Sequence, residues 1–138
     1  MAMASEAANP GRATAISKLQ EALQQTLRRL SDIRGVDGAI IASRDGLLVA
    51  ASGGASERLE VEAAIAAAIF GAIDRAAANI DIGPVRAALV ETPTRSLQLL
   101  SLAELLLIVV AEKNADMGRV RAGMATAARE LTRQAGCR

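Results

Sequence analysis

Apolar residues recur near the start of the chain at steps of three and four: Ile16, Leu19, Leu23, Leu27 and Leu30, with Gln20, Glu21, Gln24, Gln25, Arg28 and Arg29 between them. That spacing predicts an amphipathic helix over 14–33 with a single inward stripe. Arg34-Gly35 ends it, because glycine accepts the left-handed cap conformation. The apolar period then shortens. Runs at 36–43 (VDGAIIAS) and 47–51 (LLVAA) flank Arg44-Asp45-Gly46, and an Asp-Gly pair between two such runs predicts a β-hairpin, whose turn needs positive φ.

Residues 63–73 (AAIAAAIFGAI) contain no polar or charged side chain, and Glu57 and Glu60 ahead of them mark a helix that continues to about Ile80. A helix apolar on every side is buried on every side. One sheet covers one flank, so the other needs cover that is most simply a second chain, the alternative being a helix sandwiched inside a monomer. The run spans only about 16 Å, half of what a bilayer requires. Along the helix Val61, Ile65, Ile69 and Ile73 recur every four residues as a bulky stripe, and Ala63, Ala67 and Gly71 form a small one nearly opposite. The bulky stripe is assigned to the sheet and the small stripe to another backbone in close approach.

Ser52-Gly53-Gly54-Ala55-Ser56 precedes this helix. A glycine pair at a helix N-terminus can cradle a phosphate, but Glu57 and Glu60 repel an anion, and a flexible strand exit with Ser56 as the cap is the simpler reading. Pro84 stops the helix. Three strands follow, at 85–91, 96–101 and 105–111. The last is apolar throughout and is placed at the sheet centre; the first carries Arg86 and Glu91 and reads as an edge, able to pair with a twin. A last helix starts after Asn114, the expected N-cap, with Asp116 in its first turn and Met117, Val120, Met124, Ala127, Ala128 and Leu131 inward. Arg119, Arg121, Arg129 and Arg133 form a solvated face or meet an acidic partner. The order αββαβββα predicts an α+β fold. It is a profilin-like sandwich in which a five-stranded antiparallel sheet carries one long helix on one face and two helices on the other. Residues 1–13 are a disordered tail and 14–135 one domain.

Composition narrows the chemistry. The chain of 138 residues has a formal charge of +1, no His, Tyr or Trp, and Phe70 as its one aromatic. No basic face or stacking platform suits nucleic acid. The commonest general base and metal ligand are missing, and neither a P-loop nor a dinucleotide fingerprint occurs. No catalytic, metal or cofactor site is therefore expected; carboxylate or lysine chemistry stays formally open, with Lys113 or Glu91 as imaginable actors. The single cysteine, Cys137, cannot form an internal disulfide and is a poor nucleophile at the terminus. The N-terminus lacks the apolar core of a signal peptide, which points to the cytosol.

The element order, with Gly35-Val36-Asp37-Gly38-Ala39, Ser43-Arg44-Asp45-Gly46-Leu47 and Asn114-Ala115-Asp116-Met117-Gly118-Arg119-Val120-Arg121, resembles the Roadblock / dynein light chain domain family, in particular its bacterial, gliding-motility regulator-like members. The resemblance covers about 19–131. It implies a homodimer in which second helices lie side by side and third strands join two sheets into one. Ala63, Ala67, Phe70, Gly71, Asp74, Val85, Ala87 and Leu89 are the expected interface. It also implies a noncatalytic regulator or adaptor of a Ras-like small GTPase, a candidate activator of GTP hydrolysis, with Arg58, Glu60, Ala64, Ala68 and Arg75 on the platform that meets it. Arg58 and Arg75 are the arginines to test as fingers. The rival is a structural self-assembly module without a GTPase partner. A small-ligand sensor would need a polar-lined cavity, which these apolar elements do not predict.

Overall fold

The computed structural model describes residues 10–53 and 56–135. The expectations for residues 1–9, Gly54 and Cys137 lie outside the described residues, as do the side chains of Ile16 and Ser56. The described residues form three helices and one sheet: α1 (Pro10–Ser31), β1 (Val36–Ser43), β2 (Leu48–Gly53), α2 (Ser56–Asn79), β3 (Ala87–Glu91), β4 (Arg95–Leu102), β5 (Leu105–Glu112) and α3 (Met117–Ala135). Helix α1 opens four residues earlier than the apolar period suggested, on a proline whose missing N–H costs nothing at a first helical position.

All strand pairs are antiparallel and the order is β2-β1-β5-β4-β3. As its unbroken apolar sequence predicts, β5 is the central strand, with Leu106, Leu107, Ile108 and Val109 all buried. Alternation along the strands then builds two cores. On one face Leu23, Leu27 and Leu30 of α1 and Val120, Met124, Ala127 and Leu131 of α3 pack on Ala39, Ile41, Leu107 and Val109. On the other, Ala63, Ala66, Ala67 and Phe70 of α2 pack on Ile40, Ala42, Leu99, Leu106 and Ile108.

The connections follow local chemistry. Gly46 has a φ of +93° in the β1–β2 turn, and its amide donates to the Ser43 carbonyl at 3.0 Å. The cap of α3 differs from expectation: Asp116, not Asn114, receives the Arg119 amide on Oδ1 at 3.2 Å, and its carbonyl receives the Val120 amide. The helix starts at Met117, which puts Asp116 at the flanking position where a short side-chain acceptor satisfies a free N–H. Gly53 closes β2, paired with Gly38, so it belongs to the ladder and not to a phosphate-binding loop.

Candidate functional site

Helix α2 lies on the sheet the opposite way round from the orientation its stripes suggested. Ala63 is fully buried, and Ala66, Ala67 and Phe70 nearly so, whereas Val61 and Ile65 are 56% and 54% exposed. Two physical reasons account for this. The sheet face below α2 already carries the bulk, in Ile40, Leu99, Leu106 and Ile108, so a helix seats best with alanines inward and one ring between them. A row of every fourth residue also drifts around the helix by about 40° per step. Val61 and Ile65 thus face out, while Ile69 and Ile73 have turned to the half-buried flank.

The outward face has its own regularity. Val61, Ile65, Ala68 and Ala72 recur at steps of four, three and four, with Ala64 beside them, and all five are exposed. This is the seam spacing of helices that pack lengthwise on a partner. Charged groups border it: Arg58 and Glu60 toward the start of α2 and Arg75 toward its end, all exposed. The connection to β3 carries two more exposed apolar side chains, Ile80 and Ile82, 67% and 70% exposed.

Strand β3 forms one margin of the sheet. Its outer edge has no strand partner among the described residues, and Ala87, Leu89 and Val90 are exposed. Such an edge is a template for another strand. The edge and the helix are tied together, because the Val85 amide donates to Asp74 Oδ1 at 2.9 Å.

Each expected interface residue thus has a defined place. Ala63, Ala67 and Phe70 contact their own sheet; Gly71 is half-buried on the flank of α2; Asp74 holds Val85, which packs partly on the α2 core; Ala87 and Leu89 stand on the free edge. The platform residues Arg58, Glu60, Ala64, Ala68 and Arg75 are all exposed. Val61, Ile65 and Ala72 were missed as members of the outward face, although their alternating four-three-four spacing with Ala68 was visible in the sequence.

Phe70 has a second neighbour. The Arg44 guanidinium carbon lies 5.1 Å from the ring centroid, within cation–π range. Arg44 also donates from Nε to the Ala103 carbonyl at 3.0 Å and from Nη2 to Ser101 Oγ. It therefore fastens the β1–β2 turn to the β4–β5 turn over the end of the α2 core. Glu91 and Lys113, the two imaginable catalytic groups, are both exposed. Among the described residues no cluster of His, Cys, Asp or Glu could hold a metal ion, and no helix is long and apolar enough to cross a membrane.

Comparison with known proteins adds relationships to this geometry. The Roadblock/LC7 domain family model matches residues 22–112. An uncharacterized protein of Methanocaldococcus jannaschii is 28% identical over 109 residues, covering 79% of this chain and 96% of that one. Among solved structures, a Roadblock/LC7 domain from Streptomyces avermitilis superimposes with a TM-score of 0.74 at 22% identity, over 78% of this chain and 92% of its own. The gliding protein MglB of Thermus thermophilus gives a TM-score of 0.76 at 20% identity, over 86% and 91%.

Proposed function

The chain belongs to the Roadblock/LC7 domain family, and from that premise we propose that it is a noncatalytic homodimeric regulator or adaptor of a Ras-like small GTPase, acting in the cytoplasm. The observation that carries this reading is the exposed apolar seam Val61, Ile65, Ala68 and Ala72 together with a β3 edge that has no strand partner among the described residues. Two copies related by a two-fold axis bury both features at once, helix beside helix and strand beside strand, in one self-complementary contact. The inward alanines do not take part; Ala63, Ala67 and Phe70 support the contact from below.

The GTPase meets the paired helices along their charged margins, where Arg58, Glu60 and Arg75 stand. Acceleration of hydrolysis is achieved by positioning the GTPase's own groups rather than by an arginine supplied in trans. Arg58→Ala and Arg75→Ala test that directly: loss of stimulated hydrolysis in either variant identifies a finger, and retention in both leaves positioning. Size exclusion coupled to light scattering tests the whole reading. A dimer that binds a Ras-like GTPase loaded with a GTP analogue, and not with GDP, is the expected result. A dimer indifferent to both forms is a self-assembling module instead, and a monomer removes the premise.

A further inference from the structure

The face of the sheet opposite α2 is covered unevenly. Helix α1 lies over β1 and β2 and α3 reaches β4, and among the described residues no helix packs closely on β3. Between α3 and the β3–β4 margin is a groove of about 490 Å³, within the range of small-ligand sites. Its walls are apolar, built from Leu89 of β3, Leu100 of β4, and Met124 and Ala128 of α3.

Three polar side chains break this lining: Gln98, Arg121 and Arg129. Gln98 stands opposite Leu89 in the β3–β4 ladder and is only 7% exposed. Its Nε2 is buried and, among the described residues, without a hydrogen-bond partner, a state that folded chains avoid. Arg121 and Arg129 are exposed on α3, and among the described residues neither pairs with a carboxylate. The groove thus presents a buried donor in its lining, two cations and apolar walls.

We propose that this groove binds an amphiphilic carboxylate: an acyl chain lies along Leu100, Met124 and Ala128, and its head accepts from Gln98 Nε2 and is held by the arginines. An acceptor brought in from outside satisfies the unpaired amide, an anionic one suits the arginines, and an apolar tail suits the remaining lining. A docked peptide helix fits less well. Its diameter of about 10 Å keeps its backbone above a buried donor. The site lies on the sheet face away from α2 and so stands apart from the proposed GTPase platform, while its Leu89 wall belongs to β3 and adjoins the strand edge of the proposed dimer.

The test uses the full chain, a fluorescent polyene fatty acid as reporter, and dodecanoate as competitor. Saturable binding, one per chain, displaced by dodecanoate and at least about ten-fold weaker for dodecanol or dodecyltrimethylammonium, is expected. Gln98→Leu weakens binding about ten-fold while melting no lower than the parent, because the amide it replaces has no partner to lose. Arg121→Glu with Arg129→Glu, both on the exposed face of α3, does the same without touching the core. Absence of saturable binding, equal binding of the cationic amphiphile, unchanged affinity in these variants, or a lower melting temperature for Gln98→Leu would overturn the proposal. Binding of an acidic peptide in place of dodecanoate would overturn it as well.

Discussion

Gly35 has a φ of +90°, and a Cβ built on it falls 2.7 Å from the Ala115 Cβ and 2.8 Å from the Ala115 Cα. Both the backbone conformation and the space therefore demand glycine. Gly35→Ala is expected to cost about 2–5 kcal/mol, the sum of a left-handed penalty and overpacking against backbone, and to lower the melting temperature by roughly 10 °C or more in a circular-dichroism melt. The Asp37–Arg95 ion pair behaves differently. Its Nε–Oδ2 distance is 2.7 Å, but the side chains are 37% and 51% exposed, and exposed pairs contribute about 1 kcal/mol or less. Arg95→Ala is accordingly expected to shift the same melt by only a few degrees, falling further in significance as salt is raised. A short contact in the open thus matters less than a hydrogen atom in a tight place. Gly35 was legible as a helix terminator because the conformational rule is local; its neighbour Ala115, far along the chain, was not.

At the scale of elements, the orientation of α2 makes a sharp contrast between adjacent alanines. Ala63 is fully buried and Ala64 exposed. Ala63→Leu is expected to destabilise by about 1–3 kcal/mol through overpacking, whereas Ala64→Leu stays within about 0.5 kcal/mol in the isolated protomer. Urea unfolding of the two variants decides which way the helix faces. Every helix and strand could be placed from periodicity and turn chemistry, because those signals sit within a few residues. Which side of α2 turned inward could not. Eleven apolar residues in a row carry little amphipathic signal, and the answer lay in the bulk of Ile40, Leu99, Leu106 and Ile108 on other strands. The groove beside α3 was equally hidden, since it depends on which strands the two helices cover. Gln98, a polar residue set in the apolar run of β4, was the available hint.

For the whole molecule, the proposed dimer makes stability depend on protein concentration, because association adds free energy to the folded state alone. Ile65→Glu or Ala68→Glu is expected to place charge in the helix seam and yield a folded monomer by light scattering, with a melting temperature that no longer rises with concentration. Neither side chain supports the core, so loss of assembly would not be confused with loss of fold. Ala67→Glu offers no such separation, since its Cβ points at the sheet. The hydrogen bond from the Val85 amide to Asp74 Oδ1 carries the matter one step further. It joins the latter part of α2 to the entry of β3, so a tilt of the helix is expected to move the strand with it. Amide exchange along 87–91 should therefore slow when something grips the outer face of α2, even on a protomer whose strand it never touches. In Asp74→Ala the two should report independently, and the strand would no longer register the helix.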